Sequence, residues 1–513
     1  MTTTATNIIS ATVIDESIST ATPLTPDAPA PTSPKSAQSM HADALIIGFG
    51  KGGKTLAAKL GAQGKHVIVA EQNNQMYGGT CINIGCLPSK SLILDAERAQ
   101  FSGESSDPDK RKQAYSNAIA NKRQLTAMLR SKNYHKLADQ EHITVLDGHA
   151  HFLSASEVQV DTAQGPVVVN ADKIFINTGA TARIPDIEGI NTTPGVYTST
   201  GMMEVDEIPE RLVILGAGYI GLEFASMYAD FGSQVTVLQH NNSFLPNEDE
   251  DIRQAIHQSL EAQGITFITN AHTHRVSQAA DGHGVLLEVA VDNADTASAN
   301  TASADNSTDN TITHIQADAV LIATGRVPNT EGLDAQKAGI ALTDRGAVQV
   351  DDLLRTTAPN IWALGDVNGG PQHTYISLDD YRIVLSQLDE REAPYTRKDR
   401  KNIASVTFLH TPYARVGLNE QEAIAAGFDF EVKKMPTAAV PKAQVMRHTE
   451  GMMKALVERG THRILGAMLF AAQSHEVINI VKLAMDLQAP ATQLRNMVFT
   501  HPTMAEALND LFA

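Results

Sequence analysis

Twice along this chain an apolar strand runs straight into a glycine-rich turn, a helical pattern and a second apolar strand. The first passage is Ala44-Leu45-Ile46-Ile47, then Gly48-Phe49-Gly50-Lys51-Gly52-Gly53, a helical pattern through Leu60, and Val67-Ile68-Val69-Ala70 ending at Glu71. The second is Leu212-Val213-Ile214-Leu215, then Gly216-Ala217-Gly218-Tyr219-Ile220-Gly221-Leu222-Glu223, a helical run, and Gln234-Val235-Thr236-Val237-Leu238-Gln239. Strands without polar alternation suit a sheet covered on both faces, and a helical crossover returns the second strand parallel to the first. The fold class this demands is α/β with two such units. In each unit a polar side chain follows the first glycine by 23 residues: Glu71 after Gly48, Gln239 after Gly216.

The spacing is that of a Rossmann βαβ unit. Glycines permit the tight turn and bring backbone N–H groups against a pyrophosphate at the helix N-terminus, while an acid at the end of the second strand accepts ribose hydroxyls. Gly48, Gly50, Gly53 and Glu71 are candidates for one dinucleotide, and Gly216, Gly218, Gly221 and Gln239 for another. A rival lies in the same letters, because Gly48 to Thr55 matches the P-loop pattern GxxxxGK[ST]. A P-loop needs a separate magnesium carboxylate after a buried strand, for which there is no convincing candidate; the Rossmann reading needs Glu71, which is there. Two dinucleotide sites imply two cofactors that exchange electrons.

Only two cysteines occur, Cys81 and Cys86, within Gly78-Gly79-Thr80-Cys81-Ile82-Asn83-Ile84-Gly85-Cys86-Leu87-Pro88-Ser89-Lys90. Five residues of ideal helix rise about 7.5 Å, too far for a disulfide, so a bridged pair requires a bend between them. Asn83 and Gly85 tolerate one, and Pro88 suits the first turn of a helix starting just after it. The alternatives are two small buried hydrophobes, or a zinc site completed by histidines.

Composition excludes other classes. A length of 513 residues with 42% hydrophobic residues suggests three or four domains. The net charge of -18 disfavours nucleic-acid binding. No apolar run approaches the ~18 residues of a membrane span, and two cysteines cannot staple a secreted fold. Residues 1–40, rich in Ala, Thr, Ser and Pro, read as a disordered tail without the marks of a signal peptide or presequence, so cytoplasm is the expected compartment. Residues 292–311, acidic and of low complexity, read as a long solvated loop at a hairpin tip between Val285–Val289 and Ala317–Ile322.

The two fingerprints, the GGTCINIGCLPSK segment, Thr178-Gly179, Ala323-Thr324-Gly325-Arg326, Ala363-Leu364-Gly365-Asp366 and His501-Pro502-Thr503 together resemble the pyridine nucleotide-disulfide oxidoreductases over residues 41 to 513. Ile46 to Lys51, Met76 to Gly79, Ile174 to Ala180, Tyr375 to Arg382 and Leu508 to Phe512 resemble a bacterial oxidant-resistance branch of that family, for which cupric ion is the implied acceptor. The resemblance implies an FAD domain (residues 41–190, resumed at 323–395) interrupted by an NAD(P) domain (191–322) and followed by a dimerisation domain (396–513). It implies FAD at Gly48, Gly50, Gly53, Glu71, Thr80, Lys90, Thr178, Gly179 and Asp366, and NADH or NADPH at Gly216, Gly218, Tyr219, Gly221, Gln239 and Gly325. Electrons would pass through flavin to a Cys81–Cys86 disulfide.

Each implied role has a physical reason. Cys86, nearer the helix, is placed for thiolate stabilisation and would face the flavin, leaving Cys81 as the outward thiol. Lys90 and Glu223 would pair near the flavin; the plainer alternative is two helix-surface charges. His501 would act as acid–base partner of the outward thiolate, oriented by Glu506 and reaching across a homodimer, although Thr503-Met504-Ala505-Glu506 also reads as a capping box. Gln239, followed by His240, neither repels nor strongly pairs with a 2′-phosphate; NADH is favoured on the resemblance. The chain's end carries no second cysteine pair of the kind mercuric reductases use, which disfavours mercury, whereas a soft ion such as copper could meet Cys81 and Cys86 transiently with help from His410 or His475. Two other readings remain: reduction of a small disulfide of the dihydrolipoamide or glutathione type, and a redox sensor whose cysteine pair switches partner binding. No resident metal, nucleic acid or membrane is expected.

Overall fold

The computed structural model describes residues 38–513 except 243, 281, 292–311, 390 and 391. Residues 1–37 of the expected tail and the whole of the expected loop 292–311 thus lie outside the described residues. Gln38–Ala513 form one compact unit.

The first glycine unit sits at the centre of an eight-stranded sheet. Strand Ala44–Ile47 pairs in parallel with Val67–Glu71 on one side and Ile174–Ile176 on the other, and Ile361–Ala363 extends the sheet beyond the latter. All residues of Ala44–Ile47 and Val67–Glu71 are buried. Leu45, Ile47, Ile68 and Ala70 pack on one face while Ala44, Ile46, Val67 and Val69 pack on the other, as the period of two dictates for a sheet covered on both sides. The chain leaves this sheet after Ile174–Ile176 and re-enters it with Ile361–Ala363.

In between, the second glycine unit builds a five-stranded, all-parallel sheet in the order Thr266–Ile268, Gln234–Leu238, Arg211–Leu215, Ala319–Ile322 and Val196–Thr198. It is buried on both faces too, Leu212 and Ile214 on one, Val213 and Leu215 on the other. A third sheet is antiparallel, in the order Ser405–Thr407, Tyr413–Gly417, Ile464–Phe470, Met452–Glu458 and Phe430–Pro436.

Three expectations need correction. Residues 38–40 are not tail: Gln38–Ala42 is an edge strand, parallel to Gly165–Ala171 in the register Gln38↔Val167. Backbone pairing overrides a polar composition there. The run Ala317–Ile322 is not one strand. Ile312–Ala317 pairs antiparallel with Val285–Val291, flanking the expected hairpin tip, whereas Ala319–Ile322 belongs to the parallel sheet. The break is Asp318, whose carboxylate accepts from Arg211 N (2.7 Å) and Nη2 (2.6 Å). Finally, the helix after the cysteines does not wait for Pro88. It spans Cys86–Ser102, with the proline inside its first turn, where a missing N–H costs nothing.

Candidate active site

The two glycine turns are built alike. Gly48 has φ +99° and Gly216 φ +106°, and a Cβ on either would stand 2.5 Å from Asn177 O or 2.7 Å from Ala323 O, so only glycine fits. The third glycines serve packing: a Cβ on Gly53 would lie 2.7 Å from Ile46 Cγ2, and one on Gly221 2.1 Å from Gly216 O. The residues 23 positions on clasp the turns from the side. Glu71 Oε2 accepts from Phe49 N at 2.9 Å and Gln239 Oε1 from Ala217 N at 2.9 Å. Glu71 is 8% exposed, its other oxygen accepts from Asn73 N, and burial pushes its pKa up. Sequence reasoning gave these side chains a ribose and missed their hold on the loop. The P-loop alternative fails on Lys54, whose ammonium donates to Gly78 O (3.0 Å) and Asn133 Oδ1 (2.6 Å).

A cavity of about 1650 Å³ opens at the C-terminal end of the first unit. Its wall includes Gly48, Gly50, Glu71, Thr80, Cys81, Cys86, Lys90, Thr178, Gly179, Tyr219, Glu223 and Asp366 from the sequence-derived set. Gly53, Gly216, Gly218, Gly221, Gln239, Gly325, His501 and Glu506 lie outside that wall. The cradle fits a dinucleotide pressed onto backbone, since a Cβ on Gly50 would stand 2.5 Å from Asn177 Oδ1 and one on Gly79 2.7 Å from Gly50 Cα. Asn177, part of the Ile174 to Ala180 passage but given no role there, ties this floor together by accepting from Gly53 N (2.9 Å) and donating to Leu364 O (2.7 Å). Arg326 faces the same space opposite Asp366; burial raises the Asp366 pKa and lowers that of Arg326.

Cys81 lies in the short helix Thr80–Asn83 and Cys86 is the first residue of the next, the chain bending at Ile84 and Gly85. Both are free thiols, and Cys81 donates to Cys86. That donation is the main reason the Cys86 pKa drops to about 6; Thr374 Oγ1, 3.7 Å away, and the Lys90 charge assist, while burial and Glu223 oppose. Cys81, the donor, is pushed up by the same bond and by burial. The reduced pair is thus a monothiolate at neutral pH with its charge on Cys86, at a helix N-terminus.

One helical turn on, Lys90 Nζ meets Glu223 Oε2 at 2.7 Å and lies 4.7 Å from the Phe408 ring centroid. Glu223 Oε1 accepts from Phe408 N, Ser226 Oγ from His410 N, and Asp230 Oδ2 lies 3.2 Å from His410 Nδ1. Glu223, Ser226 and Asp230 share one face of helix Tyr219–Asp230 and hold residues 408–410 against that helix, with the Phe408 ring beside Lys90 of the cysteine helix. Lys90 and Glu223 are therefore a partly buried pair, not solvated surface charges. His410 is held by Asp230 away from the cavity wall, whereas His475 lines it and packs on Phe408 with ring centroids 5.5 Å apart.

This electrostatic arrangement predicts the pH dependence of thiol reactivity. Because the Cys86 pKa is lowered, thiolate persists above about pH 6 and is lost as pH falls through that value. Alkylation of the reduced protein by iodoacetamide, followed by peptide mass analysis, is expected to show a midpoint near pH 6 at Cys86, moving upward in Lys90→Gln. A midpoint near the ~8.5 of an ordinary thiol contradicts the assignment.

His501 Nδ1 lies 2.8 Å from Glu506 Oε2; the imidazole is 68% exposed and the carboxylate 16%. The capping-box alternative is only half realised. Glu506 N donates to Thr503 Oγ1 at 3.3 Å, but the Glu506 side chain turns to His501. Tyr219, at the cavity wall, donates to Glu248 Oε1 (3.0 Å), and Glu248 also takes Tyr413 OH and Arg415 Nη1. Nothing stands within 4 Å of a Cβ built on Gly218 or Gly325, so backbone there is open to a ligand.

Residues 42–380 match the pyridine nucleotide-disulphide oxidoreductase family and residues 403–512 its dimerisation domain. The chain belongs to the pyridine nucleotide-disulfide oxidoreductases. Members of this family use FAD and NAD(P)H. Among its relatives, the probable pyridine nucleotide-disulfide oxidoreductase RclA of Escherichia coli is 47% identical over 470 residues, 92% of this chain and 98% of the relative. The mercuric reductase of Staphylococcus aureus is 31% identical, covering 91% of this chain and 81% of the relative. A solved structure described as the Cu(II) complex of the HOCl-induced flavoprotein disulfide reductase RclA superposes with a TM-score of 0.82 at 46% identity, over 92% of this chain and 99% of that one. The resemblance read from the motifs is thereby shown, as are two Rossmann-like domains with a C-terminal dimerisation domain. Among the described residues no helix is long and apolar enough to cross a membrane.

Proposed function

We propose that this flavoprotein disulfide oxidoreductase draws electrons from NADH, passes them to Cys81 and Cys86, and delivers them to a metal ion such as Cu(II) or to an oxidative-stress-related acceptor. The observation that carries the reading is the Cys86 monothiolate beside a protonated Cys81 in the wall of the cavity that the Gly48–Gly50 turn floors. FAD bound on that floor supplies two-electron exchange between a nicotinamide nucleotide and sulfur. Gly48, Gly50 and Gly53 would shape the turn for its pyrophosphate, with Glu71, Thr80, Thr178, Gly179 and Asp366 placed around it and Lys90 offering a cation held by Glu223. The nicotinamide nucleotide would lie over Gly216, Gly218 and Gly221, with Gln239 and Gly325 beside it and Tyr219 as the gate.

At the thiols, oxidation of the Cys86 thiolate and Cys81 thiol to a disulfide releases two electrons and one proton, that of Cys81; the two electrons take two Cu(II) to Cu(I). Soft thiolate sulfur suits the reduced ion. The Cys81 proton needs a base, which we assign to His501 of the partner subunit with its Glu506 carboxylate fixing the ring tautomer, in a homodimer. A cytoplasmic setting suits a pair that must return to the dithiol state. The solved Cu(II) complex of a 46% identical flavoprotein supports the metal reading.

Dihydrolipoyl dehydrogenases are relatives as well, at 28 to 30% identity, which keeps small-disulfide reduction as the second reading. Steady-state rates with Cu(II), lipoamide and glutathione disulfide separate the two. Cu(II) is expected to give the highest kcat/KM, and a tenfold advantage for either disulfide reverses the assignment. The same assay with both nucleotides tests Gln239: NADH is expected to be preferred, and a preference above tenfold for NADPH overturns that choice.

A further inference from the structure

Apart from the cysteines, the described residues hold two close groups of metal-ligating side chains. One, Asp249, Asp251 and Glu420, already contains its cation: Lys454 Nζ, 0% exposed, lies 2.7 Å from Asp249 Oδ2 and 2.8 Å from Asp251 Oδ1 and contacts Glu420. The other has no such partner built into it. His149 and His151 are two apart on the strand Ile143–Phe152 and so share a face; Asp161, on the antiparallel strand Glu157–Thr162, stands directly opposite His149.

One ligand atom from each of His149, His151 and Asp161 lies within 4.8 Å of the other two. The His151 Nδ1 to Asp161 Oδ2 separation is 3.4 Å. That is beyond the usual range of a hydrogen bond, but it is the spacing of two ligands each about 2.1 Å from one tetrahedral ion. The two rings lie nearly parallel, 27° apart with centroids 6.2 Å distant. A Cβ on Gly332 would stand 2.9 Å from His149 Nε2, so glycine leaves that nitrogen clear. The segment 333–334 is tied to the same strand by Phe152 N donating to Leu333 O (2.9 Å), and the Asp334 carboxylate there is paired with Lys337 at 2.8 Å.

We propose that His149, His151 and Asp161 form a binding site for a borderline divalent transition ion, Cu(II) or Zn(II), distinct from the Cys81–Cys86 pair. Two imidazole nitrogens and one carboxylate oxygen suit these ions; Mg(II) and Ca(II) prefer oxygen alone. His149 also lies on the cavity wall, so the ion is held at the rim of the space the cysteines face from elsewhere. The site binds without a redox step and stands whether or not copper is the enzyme's acceptor.

The test uses the untagged, FAD-loaded chain carrying Cys81→Ser and Cys86→Ser, which removes thiolate ligands. Titration with Zn(II) by calorimetry and with Cu(II) by electron paramagnetic resonance is expected to give one ion per chain and nitrogen hyperfine structure from two imidazoles. His149→Ala or His151→Ala is expected to weaken binding by at least about 100-fold. Asp161→His, which restores a ligand, should retain it; FAD absorbance reports that each variant is folded. One-to-one binding unaffected by either histidine change, or the absence of any such binding in the parent, overturns the proposal.

Discussion

Cys86→Ser is expected to reduce acceptor turnover by on the order of 10³-fold or more, equivalent to about 4 kcal/mol of transition-state stabilisation, while FAD binding and its reduction by NADH persist. The reason is positional. Cys86 opens the helix Cys86–Ser102, receives the Cys81 proton donor, contacts Thr374 and feels the Lys90 ammonium, so it carries the negative charge of the reduced pair. Serine cannot hold that charge near neutral pH. Cys81→Ser is expected to block turnover as severely, because no disulfide can form, but to differ in its spectrum. During anaerobic NADH titration, a long-wavelength band from Cys86 thiolate beside flavin should survive in Cys81→Ser and vanish in Cys86→Ser. If Cys86→Ser keeps both the band and full acceptor reduction, the thiol relay is not the working path and the redox-sensor reading gains.

What the sequence made legible here depends on how local the cause is. Gly48 and Gly216 could be read because a positive φ and a strand approaching within van der Waals contact demand glycine wherever the rest of the chain goes. The bend between Cys81 and Cys86 was legible for the same reason, though the helix start was misplaced at Pro88 because proline is equally at home anywhere in a first turn. The Lys90–Glu223 pair joins distant segments and came only from family resemblance. Asn177, Thr374 and Glu248 were missed, since Asn, Thr and Glu carry no signal until a sheet and three helices bring them to the cavity or its gate. Glu71 and Gln239 show a subtler limit. Their spacing was noticed, but their bonds to Phe49 N and Ala217 N are properties of the folded turn, and they explain why an amide can stand where an acid stood: both offer the acceptor the loop needs. The His149, His151 and Asp161 cluster was invisible because its third member arrives through strand register alone.

His501→Ala is expected to lower acceptor turnover by about 10²- to 10⁴-fold, the usual range for losing a general acid–base group, and Glu506→Gln by less, since the histidine stays but loses its orienting charge. The geometry that motivates this also predicts where the residue acts. His501 is 68% exposed, outside the cavity wall that holds Cys81 and Cys86, and lies in a domain matched to the family's dimerisation domain. For an imidazole so placed, the thiols it serves are expected to come from another subunit. In a two-fold dimer each site would then take cysteines from one chain and His501 of the partner subunit, so two different inactive variants can complement. Mixing Cys81→Ser with His501→Ala chains, dissociating and reassociating them, puts both lesions in one site of the mixed dimer and leaves its other site intact. Random pairing makes half the dimers mixed, with one working site of two, so activity should return to about a quarter of the unaltered level. A site contained within one chain gives no recovery, because every chain in the mixture carries a lesion of its own.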